Sequence, residues 1–500
     1  MAASHAISPD QPGSPDQPSP RRRMLILAIC CMSLLIVSLD ITIVNVALPA
    51  IGQELHAPVS GLQWTIASYT LVVASFLMLS GSTGDRIGRR RTFQAGLAVF
   101  TLGSLLCSLA PGLGWLIAFR MVQAIGGSML NPVAMSIITN TFTEPAERAR
   151  AIGVWGGVVG ISMAAGPLAG GALVGSVGWR GIFWVNIPVG LAAIVLTARF
   201  VPESRAPRGR RPDPVGQLLV IATLAALTYA IIEGPDAGWA SPRIVGCFTL
   251  SAAALAGLIR YEPRRQDPLI DLRFFRSVPF SAATVIAISA FAGLGGFLFL
   301  NTLYLQEVRG FSALQAGLYT LPMALMTLVC APLSGRVVGS RGPRRPLVVA
   351  GVTMTVSAVL LTGLTAHTTP AWLFLAYVLF GIGFGTVNAP ITNAAVSGMP
   401  RSQAGVAAAI ASTSRQIGQS LGVAIMGSVV ISALTGPLRL GFARASHIGF
   451  WVIAGCGAIV LGLGLVSSSA WANRSAERTA ARLTPPEPGE TPASLPNMLH

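Results

Sequence analysis

The sequence predicts an all-helical membrane protein with fourteen spans, and three observations carry that prediction. Apolar runs of about 20 residues recur along the chain, each long enough at 1.5 Å per helical residue to cross a hydrocarbon core of roughly 30 Å. Charged residues make up only 10% of the 500 residues, whereas hydrophobic ones make up 52%. Arginine alternates between loops: with the amino terminus inside, 27 Arg fall in inner loops and tails, 5 in outer loops and two within spans. That bias is what the positive-inside rule demands, so both ends are expected in the cytoplasm and the chain in the plasma membrane. Buried strands are the competing reading of apolar runs. The length of these runs, their glycine content and their short polar connections favour helices.

Taken in order, residues 1–23 repeat "SPDQP" and read as a Pro/Ser-rich disordered tail. Six spans follow at 25–49, 62–81, 92–111, 114–138, 152–175 and 182–201, forming a first bundle over 24–201. The basic stretch "PESRAPRGRRPDP" (202–214) reads as a cytoplasmic hinge. Two extra spans, 215–233 and 244–261, precede a cytoplasmic loop over 262–279. Six more, at 280–305, 317–337, 346–366, 370–396, 405–434 and 448–471, make a second bundle, and 472–500 reads as a second disordered tail.

The two sets of six repeat each other. "GSTGDRIGRRRT" (81–92) corresponds to "APLSGRVVGSRGPRRP" (331–346), and "SMLNPVAMSIITNTFTEPAERARA" (128–151) to "TVNAPITNAAVSGMPRSQAGVA" (386–407). Repeated halves of this kind place a central site at their interface.

Several function classes are excluded. The net charge of +16 sits in inner loops, so it argues for topology and not for nucleic acid. All 34 basic residues are Arg; without a lysine there is no P-loop ATPase on this chain. The six Cys fall inside spans without zinc spacing, and the five His fall in loops or tails. Neither set makes a metal site or an activated nucleophile, so no enzyme is expected. "GQSLG" (418–422) matches a nucleophile-elbow pattern, but it lies in a membrane helix and reads as close packing. The expected energy source is a proton gradient, with no cofactor and no metal.

Two ionisable residues sit deep in the apolar runs. Asp40, inside "LLIVSLDITIVNVALP", lies nine residues from the outer end of its span at Pro49, about 13 Å down. Arg120 lies seven residues below Leu113 in the fourth span, about 10 Å down. Opposite charges at similar depth predict an intramembrane ion pair, since lone charges there are expensive and usually functional. Burial favours the protonated form of a carboxyl and a nearby guanidinium favours the ionised one, so separating them would bind a proton and closing them expel it. The competing reading is a purely structural pair. Arg415 is the other mid-span charge, either bonding helix-end carbonyls or facing a central cavity. Polar cavity candidates are Gln123, Asn131, Asn388, Asn393, Gln416 and Gln419; aromatic ones are Trp64, Tyr69, Phe291 and Phe297.

The residues resemble the major facilitator superfamily, specifically its 14-spanner drug/proton antiporter branch, over nearly all of 24–470. The carriers are "LDITIVNVALP", "GDRIGRRR", "RMVQAIGG", "GPLAGG", "WRGIFWVNIPVG" and "RQIGQSLGVAI". The resemblance implies a major facilitator fold of two six-helix bundles plus two extra central helices. It also implies alternating access, with export of small amphipathic drugs against protons. It gives a gate-latch role to Gly81, Asp85, Arg86, Gly88, Arg89 and Arg90, an antiporter role to the helix of Gly166, Pro167, Gly170 and Gly171, and a coupling role to Arg120. The later loop lacks the acid, having Ser340 before Arg341. Expected partners are a small-molecule substrate, protons and lipid, for a functional monomer. Proton-coupled uptake, export of an endogenous metabolite, and a receptor without a transport cycle remain as alternatives. One mid-membrane acid against two arginines points to neutral, zwitterionic or anionic cargo.

Overall fold

The computed structural model describes residues 19–206, 212–397, 399, 403–434, 436 and 438–483. The first half holds α1 (Pro20–Glu54), α2 (Val59–Ile87), α3 (Arg89–Ser108), α4 (Leu113–Thr141), α5 (Pro145–Val177), and α6 (Gly181–Trp184), which runs through Val185 into α7 (Asn186–Phe200). Then come α8 (Pro214–Ala237) and α9 (Pro242–Tyr261). The second half holds α10 (Val278–Leu303), α11 (Ala313–Arg341), α12 (Arg344–Leu361), α13 (Pro370–Val396), α14 (Ala404–Ala433) and α15 (Leu438–Ser467), followed by a short α16 (Ala470–Leu483). With α6 and α7 as one crossing, these give fourteen spans. Thirteen are both long and apolar enough to cross a membrane by composition. The fourteenth, α3, opens on three arginines, Arg89 to Arg91, yet its 20 residues are about 30 Å long.

Helix starts follow local chemistry. Asp213 accepts from the Gly216 amide at 2.9 Å to cap α8, and Ser312 with Gln315 forms a capping box on α11. The expected disordered tail from 472 is corrected by α16. Ala472, Ala476, Thr479 and Leu483 are buried, whereas Trp471, Arg474, Arg478 and Arg482 are exposed. A one-sided stripe at spacings of three and four is a helical signal that the polar composition concealed. The loop 262–279 contains two short 3-10 helices, Glu262–Arg264 and Leu272–Arg276. Of the hinge, residues 207–211 lie outside the described residues; the tails 1–18 and 484–500 do as well.

The repeat seen in the sequence is also a packing repeat. In the first half α1 packs on α5, α2 on α4, α3 on α4 and α3 on α7; in the second, α10 packs on α14, α11 on α13, α12 on α13 and α12 on α15. Each pairing has its counterpart at the equivalent position. The halves meet along two symmetry-related seams, α5 against α11 and α2 against α14.

Both seams are closed at one membrane face, and the α5–α11 seam is open at the other. Toward the Arg-poor face, α1 is buried on every side from Thr42 to Pro49, and α10 from Ala292 to Leu303. Gln63 of α2 donates across the seam to the Ala424 carbonyl of α14 at 2.7 Å, and Gln306, just after α10, donates to the Val46 carbonyl of α1 at 2.8 Å. Toward the Arg-rich face α5 and α11 part. Gly153, Gly156 and Gly157 of α5, and Gly335 and Gly339 of α11, have open space where a side chain would project.

The extra hairpin α8–α9 sits beside the α2/α14 seam and touches both halves. Gln217 donates to the Ser75 carbonyl of α2 at 2.6 Å, and Ser428 of α14 donates to the Ile231 carbonyl at 2.5 Å. Trp64, expected in the cavity, instead donates its indole N–H to Glu233 Oε1 of α8 at 2.8 Å, with its ring beside Tyr229. It is a docking residue for the hairpin. Trp64→Phe removes a hydrogen bond to a charged acceptor, worth about 1.5–3 kcal/mol, less here because the site is partly exposed. We expect a melting temperature lowered by a few degrees with transport retained. Loss of transport at unchanged stability would instead put Trp64 back at the substrate.

Candidate functional site

Asp40 and Arg120 form the predicted ion pair, and it is completely enclosed. Their side chains are 0% and 1% exposed, with Arg120 Nη1 donating to Asp40 Oδ2. The same Nη1 donates to Gln123 Oε1 at 2.7 Å, and Nε to the Thr65 carbonyl of α2 at 3.3 Å. Gln123 returns a bond from Nε2 to Asp40 Oδ1 at 2.9 Å, and Asn186 of α7 adds another at 3.2 Å. Ser104 of α3 accepts from both amides, at 2.6 and 3.1 Å. The guanidinium carbon lies 4.3 Å from the Tyr69 ring centre and 5.9 Å from that of Phe183. Dense hydrogen bonding of this kind lets a buried pair persist at all.

Every member of this cage belongs to the first half. Rigid rocking of the two halves would therefore leave the Asp40–Arg120 distance unchanged, so separating them requires α1 to shift against α4. The route from cage to gate runs along α1. Thr42 reaches the Ser162 carbonyl of α5 at 3.3 Å, and Val46 accepts the cross-seam bond from Gln306. Asp40 to Val46 is about 9 Å of helix.

The glycines of "GPLAGG" allow the closed seam. Gly166 packs on Thr42 and Gly170 on Ile43 of α1, while a Cβ at Gly171 would lie 2.5 Å from the Leu314 Cα of α11. Gly317 of α11 abuts the Pro167 carbonyl. A small cavity of about 20 Å³, with room for roughly one water, sits beside this contact, lined in part by Thr42, Asn45, Pro167 and Thr320.

At the open face, the loop "GDRIGRRR" makes its contacts within its own half. Asp85 accepts from Arg89 Nη2 at 2.9 Å, and the Asp85 carbonyl accepts from the Ala206 amide at 3.1 Å. Glu203, which the sequence reading did not single out, receives the Arg90 amide at 3.1 Å and lies 3.7 Å from Arg91. Gly88 makes the turn at φ 126°, a conformation open to glycine. Gly81 lies against Pro132 of α4, and Arg86 is exposed. Among the described residues, no hydrogen bond or ion pair joins this loop to the second half.

The cavity candidates divide. Tyr69 is buried beneath Arg120, Gln123 belongs to the Asp40 cage, and Phe297 stacks on Phe380 at 3.9 Å inside the second bundle. Gln419 is buried, its backbone pressed against Gly295 of α10. These four are core residues, and with Trp64 they leave the cavity set. Asn131, Phe291, Asn388, Arg415 and Gln416 stay partly exposed within the spans, and Asn393 is exposed toward the open face. Asn186, Gln63 and Glu203 were missed. Asn186 and Gln63 did carry a signal, each being an uncharged amide within an apolar span.

Two repeated six-helix halves around a cleft closed at one membrane face and open at the other define an alternating-access carrier. The profile of the Major Facilitator Superfamily matches residues 30–423, and the chain belongs to that family. It is 37% identical over 425 residues to the multidrug resistance protein Stp of Mycobacterium tuberculosis (strain CDC 1551 / Oshkosh), covering 85% of this chain and 79% of that protein. It is 38% identical over 408 residues to the tetracenomycin C resistance and export protein of Streptomyces glaucescens, covering 81% and 76%. A solved bacterial homologue of the human drug peptide transporters PepT1 and PepT2 shares the fold, with a TM-score of 0.62 at 14% identity over 92% of this chain and 100% of that one.

Proposed function

We propose that this chain exports small amphipathic molecules, antibiotics among them, across the plasma membrane in exchange for protons, acting as a monomer. On this reading the Arg-rich face and both termini are cytoplasmic, so the cleft stands open to the cell interior. The names of the related proteins support export and the class of cargo. The observation that carries proton coupling is the enclosed Asp40–Arg120 pair on the helix whose next two turns build the closed gate. A proton on Asp40 cancels the charge that holds Arg120. Freed from that attraction, α1 can slide against α4 and loosen Thr42 and Val46 from their gate partners. Cargo binding favours one gate state and Asp40 protonation the other.

The test is reconstitution of the full chain into proteoliposomes with a panel of drugs, with and without an imposed pH gradient. Gradient-driven uphill movement is expected, and Asp40→Asn should abolish it while the protein still inserts. Full uphill transport in that variant rejects the coupling role. Movement in the uptake direction only, or none with any compound, rejects the exporter reading.

A further inference from the structure

Two guanidiniums lie deep within the spans, and their surroundings differ in kind. Arg120 has a carboxylate, an amide oxygen and a backbone carbonyl. Arg415 lies eleven residues into α14, about 16 Å along the helix, and has only hydroxyl partners. Its Nη2 donates to Thr392 Oγ1 of α13 at 2.6 Å, its Nη1 reaches Ser412 Oγ at 3.5 Å, and its buried Nε has no partner. It makes none of the ion pairs found among the described residues. Of the 18 acids only Asp40 lies in mid-span, and Arg120 already holds it.

Arginine does not shed its proton in proteins. A permanent charge at this depth without a fixed counter-ion is costly unless something mobile neutralises it. The contacts of Arg415 reach Thr392 of α13 and Phe291 of α10, so its partial exposure lies on the side of α14 that faces those two helices. Beside it, Phe291 lies 6.0 Å from the guanidinium carbon and meets Phe384 edge-on at 5.1 Å. This is a flat apolar wall next to a cationic fork that no carboxylate among the described residues pairs.

We propose that Arg415, with Thr392, is a cargo-recognition site for an acidic group, a carboxylate or ionised phenol, on an aromatic body that rests against Phe291. The planar fork suits two parallel hydrogen bonds to such an oxygen pair, and the aromatic wall takes the apolar body. The proposal rests on the cleft being the transport site, and is independent of proton coupling.

Equilibrium binding to the purified full chain in lipid nanodiscs, at neutral pH and without a gradient, tests it. The probes are matched pairs differing only in charge: 2-naphthoate against 2-naphthamide, and acid/amide pairs of larger polycyclic aromatics. The acids should bind about tenfold tighter, the scale of one charge-assisted contact. Arg415→Gln should erase that preference, Arg415→Lys keep part of it, and Thr392→Val reduce it several-fold. If no acid outcompetes its amide, or the preference survives Arg415→Gln, the proposal falls. Should Arg415→Gln fail to fold, an unchanged preference in Thr392→Val overturns it equally. Acid preference in a protein showing no gradient-driven transport would leave this site standing and remove the antiport reading.

Discussion

Arg120→Ala is expected to reduce the yield of folded protein severely, because it strands Asp40 inside the first half. Removing one partner of a buried pair costs about 3–5 kcal/mol, and the remaining donors, Gln123 and Asn186, supply only neutral contacts to the carboxylate. The neutral double variant Asp40→Asn/Arg120→Gln is the informative companion. It keeps shape and hydrogen-bonding capacity while removing both charges, so most of the lost thermal stability should return. If the pair serves coupling, the double variant binds cargo and exchanges it downhill, yet does not concentrate it against a gradient. If the pair is purely structural, recovery of the fold restores uphill transport as well. Melting temperature and gradient-driven flux, measured on the same preparations, separate the two.

Gly171→Val should force the closed seam apart. Its Cβ would meet the Cα of Leu314 and lie 2.7 Å from the Ala313 carbonyl, and neither can rotate aside as a flexible side chain would. Overpacking of this kind costs about 1–3 kcal/mol, which moves a two-state gate by roughly 5- to 150-fold. Asn45 is buried and lines the small cavity beside this contact, so an Asn45→Cys reporter reads the change. An impermeant thiol reagent added from the Arg-poor side should label it slowly in the parent and quickly once Gly171→Val is present, above the background of the six native cysteines. Transport should fall about tenfold or more, with normal insertion. Unchanged labelling together with normal transport would show that the α5–α11 contact is not the gate.

The spans, the internal repeat and the ion pair were legible in the sequence because each rests on a one-dimensional quantity. Run length fixes a crossing, spacing fixes a repeat, and 1.5 Å per residue fixes the depths of Asp40 and Arg120. Which way a side chain faces was not legible. α10 is apolar on all sides and buried on all sides over its Arg-poor half, so nothing in its pattern tells Phe297, inside the bundle, from Phe291, at the cleft. Tyr69 and Gln123 carry the pattern of cavity residues, since polar groups in a span suggest a pore, yet they serve the buried pair as its own solvent. α16 is hidden in the sequence for the opposite reason: a short Ala stripe among arginines is too weak in composition to register, and it shows only when the residues are placed on a helix.

On the coupling and cargo roles proposed for them, confinement of the acid–base pair to one six-helix half, with the unmatched cation on the other, would separate motive force from selectivity along the chain. Sequence drift around Arg415 and its aromatic neighbour can redraw the range of molecules handled without disturbing how the machine is powered. Descendants of one such ancestor can thus diverge in what they expel while sharing a single motor.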